Sequence, residues 1–223
     1  MLKPTSRYFD NHHKTSFLYF DDGSIRESYM RAGICFPVRY QTMTGAFGNH
    51  GFIIAAGQDV KTGKVHVYDG TPWVAIDDIL DKDNRVEYPG LSHWLNKTWG
   101  ELFLQTFYFH QPDEMSRRYR LQILRSQMVV PKPRIVELPP VDVADMLSAI
   151  WHFVKTGAIE IESGSDLAIA LAPLGKNNPV GGQLHPAVHA LGCCLIEIER
   201  FPWRAPYEKP IIERLVPLYG SAY

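Results

Sequence analysis

The residues best suited to chemistry are a histidine, an aspartate and three cysteines. His50 precedes the apolar segment 51–58, and Asp69 follows the segment 64–68. A carboxylate beside an imidazole fixes the tautomer and orientation of the ring, which allows the ring to act as a general base towards a thiol. The thiols that this base could activate belong to Cys35, Cys193 and Cys194.

The two apolar segments are predicted to form an antiparallel hairpin. Both are rich in β-branched and aromatic residues, and their apolar and polar residues alternate as in half-buried strands. The segment between them ends in Gly63, which can adopt the positive φ that closes a hairpin loop. Because paired strands run side by side, we expect His50 and Asp69, near the outer ends, to lie close together.

From His50 to Trp73 the sequence resembles papain-like thiol hydrolases over roughly 25 residues. In that family an Asn-His or Gly-His pair begins a hydrophobic strand, and an Asp or Asn lies on the next strand. The resemblance implies that His50 is the general base and Asp69 its orienting partner. The family places its nucleophilic cysteine on a helix upstream of the histidine, whereas here only Cys35 precedes His50, within a segment predicted to be a strand.

A circularly permuted relative would instead use Cys193 or Cys194, which follow Gly192 and could begin a helical turn. A thiol at a helix start has a lowered pKa, because the helix end stabilises the thiolate. An inactive relative of the family is a further alternative. Adjacent cysteines in an apolar helix are also typical of small side chains buried without chemistry.

A basic run lies between Met115 and Val136, a stretch without a single acidic residue. Such a run could contact phosphates, and the alternative is a solvated helix face paired with acids elsewhere in the fold. The formal net charge of −1 gives no general attraction to nucleic acid, so such binding requires this local patch. The candidate nucleic-acid contacts are Arg117, Arg118, Arg120 and Arg125.

Four possible metal ligands recur every four residues near the end of the chain. Each four-residue step turns a helix by about 40° beyond a full turn, so one ion cannot meet all four side chains. The sequence therefore predicts no metal site, and no cofactor is expected. The four residues are His185, His189, Cys193 and Glu197.

The elements that must position these residues are strands first and helices afterwards. Four strand segments come before residue 70, and most later segments have helical periodicity or helix start signals. This order predicts an α+β fold, in which an antiparallel sheet from the N-terminal third is covered by helices from the C-terminal two-thirds. We expect one domain over residues 1–223, with a candidate internal boundary at the proline-rich residues 130–140. The predicted helices span 94–107, 113–128, 141–155, 166–172 and 186–199.

The function predicted from these features is a non-catalytic binding or assembly module for a protein or peptide partner. Nucleic acid is a second candidate partner through the basic run, and a thiol hydrolase is the alternative function, so the sequence leaves open whether the chain is an enzyme. Three cysteines, two of them adjacent, favour a reducing compartment. No segment has the apolar length of a membrane span, so we expect a cytoplasmic protein that does not enter a membrane.

Overall fold

The computed structural model describes residues 5–10, 15–41, 47–95, 106–110, 118, 134–137, 141–175 and 184–200. Within these ranges, eight strands form one mixed sheet of mostly antiparallel pairs, and a separate hairpin joins two short strands. Strands and helices occur together, which confirms the α+β class. The strands are β1 (Ser6–Asp10), β2 (Thr15–Tyr19), β3 (Ile25–Gln41), β4 (Phe47–Asp59), β5 (Val65–Trp73), β6 (Ile79–Leu80), β7 (Val86–Tyr88), β8 (Thr106–His110), β9 (Arg134–Glu137) and β10 (Ile159–Glu160), and the helices are α1 (Val143–Lys155), α2 (Asp166–Leu171) and α3 (Pro186–Arg200).

The long strand β3 organises the sheet, whose main path is β1-β2-β3-β4-β5-β10. One edge of β3 pairs with β4, and the other pairs first with β2 and then, in parallel, with β8. The predicted hairpin is confirmed, because β4 and β5 pair in antiparallel register with Gln58 opposite Val65. Gly63 in the connecting turn has a φ of 71°, a conformation that glycine adopts without strain.

The sheet differs from the prediction in its later strands. A helix was expected to continue to residue 107, but residues 106–110 form β8; residues 91–95 are helical, and residues 96–105 lie outside the described part of the chain. Apolar spacing alone could not separate the two, and the run Thr-Phe-Tyr-Phe-His is strongly β-forming. Three pairs are parallel: β8 with β3, β9 with β8, and β10 with β5. The sheet is therefore mixed rather than purely antiparallel.

The predicted boundary at residues 130–140 contains β9, which pairs with β8 as part of the sheet. The rest of that segment lies outside the described residues. A helix predicted for residues 113–128 also lies outside them, apart from residue 118. The internal boundary therefore stays a prediction.

Helices α1, α2 and α3 lie where the sequence predicted them, and local capping explains where each begins. Asp142 caps α1 by accepting a hydrogen bond from the Ala144 amide at 2.9 Å, and Ser165 caps α2 through the Ala168 amide at 3.2 Å. Helix α3 begins at Pro186, where the missing amide proton costs no helical hydrogen bond. None of the helices in the described residues is long and apolar enough to span a membrane.

The sheet buries apolar side chains on both of its faces. We call the face that packs against α1 and α3 the helix-covered face, and the other the opposite face. Gly33 of β3 permits close contact with α3, because a Cβ built there would overlap the Ala190 carbonyl oxygen. The opposite face packs against residues 91–95. At one end of this face lie polar side chains from β3, β5 and β10.

Candidate functional site

The three thiols lie in the core of the helix-covered face. Cys35, Cys193 and Cys194 are all fully buried. Cys193 and Cys194 occupy the middle of α3, so the expectation that they begin a helical turn was wrong. Burial raises the pKa of the Cys194 thiol to about 12 and raises the pKa values of the other two thiols as well. Activated nucleophiles require the reverse shift and an accessible sulfur.

The strand register also contradicts the expected contact between His50 and Asp69. Asp69 lies opposite Ala55 of β4, five residues from His50, which corresponds to about 16 Å along the strand. The prediction treated Asp69 as the end of its strand, but β5 continues to Trp73. His50 faces the helix-covered core, whereas Ala55 belongs to the core of the opposite face.

One neighbour of His50 in the structure is His185. The two rings meet edge to face, with centroids 5.4 Å apart, and Nδ1 of His185 accepts a hydrogen bond from the Ala187 amide at 3.2 Å. Burial, together with the nearby His50, lowers the pKa of His185 to about 4. Burial also lowers the pKa of His50. Both rings are therefore neutral at pH 7, and His185 serves as a cap at the start of α3.

The other predicted sites have different outcomes. Among the described residues, no group of three or more His, Cys, Asp or Glu side chains is arranged to hold a metal ion. In the basic run, Arg118 is exposed, whereas Arg117, Arg120 and Arg125 lie outside the described residues. Binding of nucleic acid by this run stays a prediction.

A group of charged side chains that sequence reasoning did not assign lies at the open end of the opposite face. It surrounds a cavity of about 840 Å³, which we call the charged cleft. Strand β5 contributes a histidine and a tyrosine, β3 an arginine and β10 a glutamate, and the loops after β2 and β10 supply further carboxylates. The polar residues that line the charged cleft are Asp21, Asp22, Arg26, His66, Tyr68, Glu160 and Glu162.

His66 lies between a guanidinium and a carboxylate, and both contact the same ring nitrogen. Nδ1 of His66 is 2.7 Å from Oε2 of Glu160 and also contacts Nη1 of Arg26. A nitrogen with a lone pair accepts from Arg26, whereas a protonated nitrogen donates to Glu160. One proton therefore determines which of the two contacts is a hydrogen bond. Arg26 and Glu160 are also an ion pair at 3.6 Å.

The surroundings of His66 favour its neutral form. Burial lowers the pKa of His66, and the positive charge of Arg26 lowers it further, while Glu160 and Asp59 oppose the shift. Only 7% of the surface of His66 is exposed. Arg26 is held over the ring of Phe20, with the guanidinium carbon 5.3 Å from the ring centroid. The site is thus a fixed arrangement of charges around a neutral imidazole.

The sequence contained one signal for this site. His66 and Tyr68 alternate along β5, so both point to the same face of the sheet. Nothing in the local sequence indicated Glu160, which reaches the site because β10 pairs in parallel with the start of β5 and places Glu160 beside His66. A carboxylate contributed from so far along the chain becomes visible only when the strand pairing is known.

Comparisons with known proteins give no further support for a function. No protein family matches the chain. No curated protein and no solved structure matches it either. The resemblance to papain-like thiol hydrolases therefore stays a prediction.

Proposed function

We propose that this chain is a binding module and that the charged cleft is its ligand site. One observation carries the proposal: the buried imidazole of His66 contacts Arg26 and Glu160 through a single nitrogen at the wall of a cavity of about 840 Å³. A titratable group with a shifted pKa in a cleft, held by a specific charged partner, is a physical indicator of a functional site.

Binding is favoured over hydrolysis because the charged cleft has no nucleophilic thiol. All three cysteines are buried in the core of the helix-covered face, where burial raises their pKa values. A thiol hydrolase needs its thiol within hydrogen-bond reach of a base, and a described ring contact of His50 is with His185 rather than with a thiol. These contacts support the binding function and give the hydrolase alternative no support.

The proposal is tested by screening small-molecule fragments of mixed charge with NMR detection of the histidine ring signals. We expect fragments that bind to shift the His66 signals, and we expect their affinity, measured in the variant from the fragments' own NMR signals, to fall at least about tenfold in His66→Gln, because that variant removes the imidazole from the cleft wall. The matched control is His152→Gln, since His152 is exposed on α1. Glu160→Gln is a second variant of nearly unchanged shape, should His66→Gln fail to fold.

If bound fragments shift the signals of other residues while those of His66 stay unchanged, the charged cleft is not the ligand site and the proposal is wrong.

A further inference from the structure

We propose that a second pocket, at the end of β5, binds a small uncharged aromatic molecule that carries a hydrogen-bond acceptor. Its volume is about 430 Å³, which is within the range of small-molecule sites in proteins. We call it the indole pocket, and its aromatic lining residues are His50, Trp73, Tyr88 and Trp94. It shares no lining residue with the charged cleft, so it is a separate candidate site.

The indole of Trp73 gives this pocket a buried hydrogen-bond donor. Trp73 is only 4% exposed, and its Nε1 has no hydrogen-bond partner within the described ranges of the chain. An indole N–H donates and cannot accept, so only a ligand with an acceptor atom can satisfy it. A buried donor without an acceptor costs stability, because it has lost its hydrogen bond to water. Binding of an acceptor therefore supplies a hydrogen bond that the described residues do not make.

Close packing fixes the position of this donor. Gly51 pairs with Trp73 in the register of β4 and β5, and a side chain on Gly51 would overlap Nε1 and Cε2 of the indole. The ring of Phe36 meets the indole edge to face, with centroids 5.1 Å apart. The indole nitrogen thus lies against the backbone of Gly51, the residue after His50, and His50 lines the same pocket. An acceptor held at the His50 side of the pocket is therefore the one nearest to this N–H group.

The other part of the wall is aromatic and is held in place by a carboxylate. Tyr88 and Trp94 contribute their rings, and Tyr88 is largely exposed, so its ring is open to a ligand. One oxygen of Asp78 accepts a hydrogen bond from the Gly90 amide at 2.7 Å, and the other is 3.1 Å from Nδ1 of His93. These contacts hold the segment that carries both rings. A flat aromatic ligand can pack against such rings with a large contact area.

The lining of the indole pocket favours an uncharged ligand. Among the described residues that line it, none is a lysine, arginine, aspartate or glutamate. His50 is neutral at pH 7, because burial lowers its pKa, although the charge of Asp166 opposes this shift. An ionised ligand would lose its hydration here without meeting an opposite charge. The acceptor that suits this pocket therefore belongs to a neutral group such as a carbonyl.

The test uses probes of similar size: acetophenone, ethylbenzene, cyclohexyl methyl ketone and benzoate. Acetophenone has the aromatic ring and a neutral acceptor, whereas ethylbenzene lacks the acceptor, the cyclohexyl ketone lacks the aromatic ring and benzoate is charged. The Nε1–H signal of Trp73 in ¹H–¹⁵N NMR spectra reports binding, and it is assigned as the indole signal lost in Trp73→Phe. We expect saturable binding of acetophenone that moves this signal downfield, because a new hydrogen bond deshields the proton. The other probes should bind about tenfold more weakly.

Trp73→Phe removes the donor and keeps an aromatic ring. The preference for acetophenone over ethylbenzene should be lost in this variant, because the two probes differ mainly in the acceptor. The matched control is Trp151→Phe, since Trp151 is 43% exposed on α1 and outside the pocket lining, and it should keep the preference. Affinities in the variants are measured from the probes' own NMR signals.

Tyr88→Ala tests the aromatic wall without changing the core, should Trp73→Phe fail to fold. This variant should weaken acetophenone binding about threefold, because it removes one ring contact. Val86→Ala is its control, since Val86 is exposed on the same strand, β7, and does not line the pocket. It should leave the affinity unchanged.

Three results would overturn the inference: ethylbenzene or benzoate binding as tightly as acetophenone, a Trp73 signal that stays in place at saturating acetophenone, or a preference for acetophenone that survives in Trp73→Phe. The His66 ring signals should stay unchanged with all of these probes, because His66 lines the charged cleft and not the indole pocket. Failure of this inference is therefore distinguishable from failure of the proposed function, which the fragment screen decides.

Discussion

The chain holds histidines in two contrasting environments, one on each face of the sheet. On the helix-covered face, the rings of His50 and His185 contact each other, and the three thiols are buried among apolar side chains. On the opposite face, His66 contacts a guanidinium and a carboxylate at the wall of an open cavity. Burial lowers the pKa of all three rings, so a shifted pKa alone does not separate a structural histidine from a candidate ligand site.

What separates the two regions is the chemistry around each ring. Nδ1 of His185 accepts a hydrogen bond that caps α3, so His185 has a structural role. Nδ1 of His66 has two partners that cannot both be satisfied, and the cavity beside it is lined by carboxylates. A buried histidine beside a second ring is therefore structural here, whereas a buried histidine between opposite charges at a cavity is the candidate ligand site.

The largest effect concerns the thiols. We expect iodoacetamide to label the native protein about 100-fold or more slowly than the urea-unfolded protein, because buried, protonated thiols react only after opening. His50→Ala should leave the native rate unchanged, since no thiol is activated by this ring. Mass spectrometry over time at mildly alkaline pH measures both rates. Ser163→Cys supplies a reference thiol, because Ser163 is exposed in the loop after β10. Rapid native labelling that slows in His50→Ala would restore the hydrolase alternative.

The second effect concerns the packing of the helix-covered face. Gly33→Ala should lower the free energy of unfolding by about 3 kcal/mol, because the new methyl group would overlap the Ala190 carbonyl, a backbone atom that cannot rotate away. Gly164→Ala is the control: Gly164 has a φ of 79° and nothing within 4 Å of a built Cβ, so we expect about 1 kcal/mol from backbone strain. Urea unfolding measures both. Equal costs would contradict close packing at Gly33.

The third effect is a pH dependence of stability that arises from His185. Its pKa of about 4 in the folded protein lies below the ordinary value of 6.5, so the unfolded chain binds the proton more readily. The stabilisation is therefore complete above pH 6.5 and is lost as the pH falls towards 4, by about 2 kcal/mol between pH 8 and pH 5.

His185→Asn tests this assignment, because asparagine can still cap α3 but does not titrate. We expect the loss of unfolding free energy between pH 8 and pH 5 to become smaller in this variant. His152→Asn on the exposed side of α1 should change the pH dependence little. An identical pH dependence in the wild-type protein and His185→Asn would remove His185 as the cause.

The smallest effect separates the two partners of His66. Glu160→Gln should lower the pKa of His66, because Glu160 favours the imidazolium, and Arg26→Met should raise it, because Arg26 disfavours it. Each change should be less than about one pKa unit, since the Glu160 side chain is half exposed and solvent screens its charge. NMR titration of the ring measures the pKa, with Asp83→Asn as a remote control. Shifts in the same direction in both variants would refute this electrostatic arrangement.

Local sequence signals were sufficient to predict several elements of the fold. The hairpin follows from alternating residues around Gly63, and α1 and α3 follow from Asp142 and Pro186 at their starts. These signals act within a few residues, because a turn conformation, a helix cap and a missing amide proton are each satisfied locally. Local signals therefore gave the positions of these elements and the α+β class.

The strand register, the burial of the thiols and the candidate site depend on tertiary contacts. Continuation of β5 to Trp73 separated Asp69 from His50, and burial in the core of the helix-covered face made the three thiols inaccessible. Parallel pairing of β10 with β5 brought Glu160 to His66. The physical reason is that register and burial depend on contacts between distant segments, and the pKa of a side chain follows from those contacts rather than from its neighbours in sequence.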